Sequence, residues 1–315
     1  MASDCKRQEA VRVGNLMLTI FTTPKPFNGH DRIIQTNAIK SWLYLRPECQ
    51  VILLGDDEGV AEVASELGVV HIPDVECNEY GTPLISSMFS VAQDIARYQL
   101  MCYVNADIIL LSDFLPAVQS VHKRQFLMVG QRWDMDLDEP VNFDDEYWES
   151  RLRARLTKYG QLHPRSGIDY FIYSRGLYDN IPPFTIGRTA WDNWLIYRAR
   201  LFKAAVIDAT KVIIPIHQNH DYSHNTGGET GVWKGPEAMR NRELAGRGEH
   251  VLTLEHATWR LTPHGIKRAM TLRDLYFHLD ASTLLSPYLR FLRGPMKALT
   301  GLIISIRSTL GITQN

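Results

Sequence analysis

Over the first 110 positions the hydrophobic residues follow two alternating rhythms. Short unbroken apolar runs at 16–21, 50–54, 69–72 and 100–104 read as buried strands. Between them Ile33, Ile34, Ala38, Trp42 and Leu45, and later Leu84, Met88, Val91, Ala92 and Ile95, recur at helical spacing. Asn28 or Asp31 can cap the first of these helices, and a further one over 58–67 stops at Gly68. Strand and helix in alternation predict an α/β fold, a Rossmann-type sandwich with a mostly parallel central sheet flanked by helices. Ligands of such sheets bind beyond the carboxyl ends of the strands. Thr22-Thr23-Pro24, Asp56-Asp57 and Asn105-Ala106-Asp107 all fall at those ends.

The second half is less regular. A strand over 126–129 leads into Gln131-Arg132-Trp133. A helix over 144–158 opens with acids and closes with bases, which suits a solvated helix matched to its own dipole. Asp169 precedes a strand over 170–173, a helix spans 189–202, and a strand spans 212–216. The acids of Asp134-Met135-Asp136-Leu137-Asp138 read as a solvated loop.

At 315 residues, 45% hydrophobic and 22% charged, the chain has the composition of an ordinary globular protein. A net charge of −1 argues against a dedicated nucleic-acid binder. Four scattered cysteines without metal-ligand spacing, and no apolar leader, point to the cytoplasm. Beyond residue 281 no acid occurs, and Arg290, Arg293, Lys297 and Arg307 alternate with large apolar residues. That composition suits an amphipathic segment lying peripherally on the cytoplasmic face of an anionic membrane, or a helix docked on the protein's own core.

The chemistry concentrates at two places. The apolar run 100–111 is broken by Asn105 and Asp107, and an unpaired carboxylate inside a buried strand costs several kcal/mol or more. If the segment stays extended, both side chains share one face and reach one divalent cation. If the strand ends at Val104, they are turn residues. The second place is 217–224, where His217, His220 and His224 follow an apolar stretch and can complete a metal shell. There is no Gly-x-Gly-x-x-Gly after the first strand and no Walker lysine, which excludes dinucleotide-binding and P-loop readings.

With a metal-competent strand end and no glycine cradle, residues 15–225 resemble the nucleotide-sugar-dependent glycosyltransferases of the GT-A fold. The resemblance rests on Thr22-Thr23, the helix carrying Gln35, Asn37 and Trp42, Asp56-Asp57, the Asn105-Ala106-Asp107 variant of the Asp-x-Asp motif, and Trp191-Asp192-Asn193-Trp194. It implies a 1–14 extension and a 15–270 catalytic domain, whose 15–110 half binds nucleotide and whose 111–270 half binds acceptor. A basic amphipathic tail over 271–315 follows. The donor, a UDP- or GDP-linked sugar, would be held by Thr22, Thr23, Pro24, Asp56, Asp57, Asn105 and Asp107. Mn²⁺ or Mg²⁺ would sit on Asp107 with His217 or His220. Asp192 would be the general base of an inverting transfer, with Asp169 the other catalytic candidate. Arg132, Trp133 and Trp191 would meet a saccharide or lipid-linked saccharide acceptor. Two other functions compete with this one: a catalytically silent nucleotide- or carbohydrate-binding protein, and a sugar-nucleotide pyrophosphorylase. The latter needs a glycine-rich, arginine-containing loop that Thr22-Thr23-Pro24-Lys25-Pro26 does not supply.

Overall fold

The computed structural model describes residues 18–220 and 233–295. The first half runs β1 (Leu18–Thr22), α1 (Gly29–Leu43), β2 (Gln50–Leu54), α2 (Val60–Leu67), β3 (Val70–Ile72), α3 (Ile85–Ile95) and β4 (Leu100–Val104). It continues through β5 (Ile108–Ile109), α4 (Phe114–Gln119), β6 (Phe126–Val129), β7 (Trp133–Met135), α5 (Trp148–Tyr159) and β8 (Gln161–Leu162). Then come β9 (Tyr170–Ser174), α6 (Trp191–Leu201), β10 (Ala205–Asp208) and β11 (Ile216–Gln218). A helix over Pro236–Leu244, β12 (Trp259–Thr262), β13 (Gly265–Arg268) and a helix over Leu272–Leu285 complete the described elements.

Nine strands form one sheet in the order β13-β12-β10-β6-β9-β4-β1-β2-β3. The strands β4, β1, β2 and β3 are parallel, as are β6, β10 and β12, while β9 enters antiparallel between β4 and β6 and β13 closes one edge antiparallel. β1 and β2 are buried along their whole length because helices cover both faces, which is why their sequences are mostly apolar, with the buried Thr19 hydroxyl satisfied by Gln50 Oε1 at 2.8 Å. Phe21, Ile52, Met101 and Tyr103 face a layer holding Met88 and Phe89 of α3 and Leu195 of α6. Ile20, Val51, Leu53 and Cys102 face the opposite layer, with Ala38 and Trp42 of α1, Val63 of α2 and Phe114 of α4. Full burial of each large apolar side chain contributes roughly 1.5–3 kcal/mol. The result is a three-layer α/β/α sandwich.

A second sheet, β5-β11-β7-β8, sits at one end. Its apolar face, with Ile109, Met135 and Ile216, packs on Leu152 and Leu156 of α5. Three sequence expectations change here. Asp134 lies in β7 rather than in a solvated loop, although Asp136 and Asp138 beyond it are exposed and outside the strand; the strand expected over 212–216 lies at Ile216–Gln218, and Ala205–Asp208 is an additional strand. The expected helix over 144–158 begins at Trp148.

The helix Leu272–Leu285 docks on the body: Ala281 is fully buried in the main core, and Leu284 and Leu285 pack beside it. Among the described residues, no helix is long and apolar enough to cross a membrane. The rest of the basic tail, 296–315, lies outside the described residues, as do His224 and the 1–14 extension.

Candidate active site

Thr22 pairs in register with Leu53, and Phe21 with both Ile52 and Tyr103, so β1, β2 and β4 end on one edge of the sheet. Thr22-Thr23, Asp56-Asp57 and Asn105–Asp107 emerge there together. The hydroxyls of Thr22 and Thr23 are buried and make no hydrogen bond among the described residues. The loop after Pro24 is pinned by Gln35, whose Oε1 accepts from the Lys25 amide at 2.6 Å and whose Nε2 donates to the Lys25 carbonyl at 3.0 Å. Asp56 and Asp57 lie on an exposed turn. Partial burial, and then the neighbouring Asp56, push the Asp57 carboxyl up.

β4 stops at Val104, and Asn105-Ala106-Asp107 is a turn closed by a hydrogen bond from the Ile108 amide to the Asn105 carbonyl at 3.1 Å. The extended arrangement with two side chains on one ion is therefore not formed. Asn105 turns to Asp169: its Nδ2 donates to Asp169 Oδ1 at 2.6 Å, while its Oδ1 accepts from the Tyr103 hydroxyl at 2.8 Å.

Asp107 turns the other way, toward β11. Its Oδ2 lies 3.1 Å from His220 Nε2 and 3.6 Å from His217 Nε2. Burial alone would raise this carboxyl; His217, the hydrogen bond and charge of His220, and Lys25 together carry it well below the usual range. Its other oxygen, Oδ1, is buried without a hydrogen-bond partner. Potential ligand atoms of Asp107, His217 and His220 all lie within 4.8 Å of one another. One carboxylate and two imidazoles, with a carboxylate oxygen left over, form a donor set that fits a divalent first-row cation.

Around this cluster stand Asp134 and His163, which the sequence did not single out as site residues, together with Arg132 and Asp169, which it did. Asp134 Oδ1 lies 3.2 Å from His217 Nδ1, and Asp134 Oδ2 lies 2.6 Å from His163 Nδ1. Arg132 bridges Asp134 and Asp169 with two contacts of 2.8 Å. Burial raises the Asp134 carboxyl less than His217, His163 and Arg132 lower it, so it stays ionised. The legible signal was the alternation of apolar Trp133, Met135 and Leu137 with Asp134, Asp136 and Asp138, the period of a strand with one polar face.

Asp192 opens α6, where the Ala190 backbone is left-handed (φ 87°). Burial, with a contribution from nearby Asp169, pushes its carboxyl up to about 7 against the opposing amides of Asn193, Asp192 and Ala190. One of its oxygens has no hydrogen-bond partner. Asp169 itself is held by Asn105 and Arg132.

The two tryptophans expected to meet an acceptor do not offer open faces. Trp191 is 6% exposed, edge-on to Tyr103 at 5.3 Å and tilted on Phe171 at 5.4 Å. Trp133 packs against the small core under α5. Arg132 is committed to its two carboxylates. Trp191 is thus a core residue, while Trp133 is partly buried.

No protein-family model and no curated protein sequence matches the chain. Solved structures do resemble it. One is the 1–349 fragment of TarS from S. aureus in complex with UDP-GlcNAc, 14% identical over 66% of this chain and 60% of that one, with a TM-score of 0.45. Another is glucosyl-3-phosphoglycerate synthase from Mycobacterium tuberculosis with Mg²⁺ and UDP, 14% identical over 81% and 87%, with a TM-score of 0.43. A third is GalNAc-T7 with UDP, GalNAc and Mn²⁺, 13% identical over 73% and 48%, with a TM-score of 0.46. The chain spans less than two thirds of the TarS fragment and of GalNAc-T7. Its function is argued from its own residues.

Proposed function

We propose that the chain is a metal-dependent glycosyltransferase that moves a sugar from a UDP- or GDP-linked donor to a hydroxyl acceptor with inversion. The observation that carries this reading is the convergence of Asp107, His217 and His220 at the strand edge where Thr22, Thr23, Asp56 and Asp57 also emerge. A bound Mn²⁺ or Mg²⁺ would supply positive charge to the donor diphosphate and stabilise the departing phosphate oxygen.

The chain's own residues do the rest. Two imidazoles hold Asp107 ionised, so its carboxylate is available at neutral pH. Asp134 Oδ1, 3.2 Å from His217 Nδ1, steadies that ring electrostatically beside Asp107. The unpartnered Thr22 and Thr23 hydroxyls and the Asp56-Asp57 turn bind the nucleoside end, with Pro24 stiffening the loop. Asp169, fixed by Asn105 and Arg132, accepts a hydroxyl of the transferred sugar. Asp192, with a pKa near neutrality, takes the proton from the attacking acceptor oxygen at its unpartnered carboxylate oxygen.

The segment over 271–315 adds a peripheral membrane contact in this reading, through which a lipid-linked acceptor is met. The exposed Leu272 (88%), Tyr288 (88%) and Phe291 (74%) support it, although Arg290 and Arg293 pair with Glu249. Co-sedimentation with anionic vesicles tests that contact, and equal pelleting with neutral vesicles would remove it.

Thermal unfolding in the presence of UDP and GDP tests the main reading. A nucleotide should raise Tm only when Mn²⁺ or Mg²⁺ is present. No shift for either nucleotide under any metal condition would overturn it.

A further inference from the structure

The polar face of the small sheet continues past the metal cluster. His217 pairs in register with Asp134, and Asp134 with Gln161, so the three side chains stand in a row across β11, β7 and β8. One rung on, Asn219 Nδ2 donates to Asp136 Oδ1 at 2.7 Å. This face forms one wall of a cavity of about 580 Å³ lined by Asp134, Asp136, Arg155, Tyr159, Gln161 and Asn219. The volume lies within the range of small-molecule sites, about 300–1,000 Å³.

We propose that this cavity is a saccharide subsite, holding a neutral pyranose ring of the acceptor against Tyr159; its assignment to the acceptor rests on the transferase reading above. Four features point to that ligand chemistry. The Tyr159 ring, at the end of α5, is 61% exposed, an amphipathic surface that a core would ordinarily have covered. Its flanking cation, Lys158, lies 4.8 Å from the ring centroid. Asp136, Asn219, Gln161 and Arg155 offer planar donors and acceptors suited to adjacent hydroxyls, each of which both donates and accepts. Asp136 and Asn219 are pre-oriented by their mutual hydrogen bond, and Arg155 by its 2.7 Å bond to the Asp136 carbonyl. Asp134 and Asp136 are balanced by Arg155 and Lys158, so the lining carries no net charge, which suits a neutral ligand. Asp134 belongs both to this wall and to the His217 contact, so a ring seated here lies next to the metal cluster.

Saturation-transfer NMR on the full chain tests the proposal, with the methyl glycosides of glucose, galactose, mannose, rhamnose and N-acetylglucosamine as probes. At least one should receive saturation from the wild type at millimolar concentration. Tyr159→Ala should weaken that glycoside ~10-fold or more, and Tyr159→Phe, which keeps the ring, should hold it within about threefold. Circular dichroism confirms that both variants are folded. No transfer to any of the five, or equal transfer with Tyr159→Ala, would overturn the subsite. Mn²⁺-dependent UDP and GDP binding by the wild type is measured in parallel. If it is absent while a glycoside binds through Tyr159, the transferase reading falls and the saccharide site stands.

Discussion

His220 Nε2 lies 3.1 Å from Asp107 Oδ2, a contact that joins the end of β4 to a residue 113 positions further on. Because Asp107 is held well below the ordinary carboxylate range, protons that compete with a metal here compete at the imidazoles. Mn²⁺ affinity should therefore fall steeply as pH drops from about 8 to about 5. Mn²⁺ titrations followed by electron paramagnetic resonance check this. An affinity flat across that range would remove the histidines from the site.

In the proposed reading Asp134, whose Oδ1 lies 3.2 Å from His217 Nδ1 and outside the Asp107–His217–His220 cluster, steadies the His217 ring. Asp134→Asn should weaken Mn²⁺ binding by about 10–100-fold, the effect typical of a lost outer-sphere carboxylate. A variant that binds Mn²⁺ like the wild type would reduce Asp134 to a structural ion pair.

For Asp192 the sign of the pH effect is fixed by its raised pKa. The unfolded chain loses this proton near the usual aspartate value, whereas the folded protein keeps it until about 7. Between those values the native state binds more protons, so stability falls as pH rises through the window and levels off above it. Asp192→Asn should thus gain in Tm over the wild type at about pH 8 and show no gain at about pH 4.

As the proposed general base, Asp192 should also set the pH dependence of turnover. In the wild type, kcat/KM should climb with pH and flatten above about 7, as the base of the free protein loses its proton. Asp192→Asn should lower kcat by about 10²–10⁴-fold. A variant with near-normal turnover would move the general base elsewhere.

Trp191 is a test of packing against recognition. Its ring is buried between Tyr103 and Phe171, so Trp191→Ala should destabilise the fold by about 3–5 kcal/mol, measured by urea unfolding. A stability loss near zero, with weakened acceptor binding instead, would return the ring to the acceptor site.

The parallel half of the fold was legible because a strand covered on both faces is mostly apolar, as Leu18–Thr22 and Gln50–Leu54 are despite Thr19, Thr22 and Gln50. Asp107 was legible for the same reason: a carboxylate interrupting such a run needs a partner. What Asn105 does was not, because whether it shares an ion with Asp107 depends on where β4 stops, and local sequence permits both strand and turn. Asp134 was hidden by its neighbours. Three acids in five residues look solvated, and only the buried Met135 and Leu137 between them betray a one-faced strand. His163 has no local signal, since its contact with Asp134 is made by chain folding over 29 positions. Trp191 misled because position at a helix start says nothing about which side of the ring meets solvent.

The most direct test of the account is Mn²⁺ binding in the presence and absence of UDP and GDP, compared between the wild type and Asp107→Asn by isothermal titration. The wild type should bind one Mn²⁺, and one of the two nucleotides should tighten it by the same factor by which Mn²⁺ tightens the nucleotide. Asp107→Asn should lose more than ~100-fold in metal affinity, together with the coupling. Unchanged metal affinity and coupling in that variant would contradict the account at its centre.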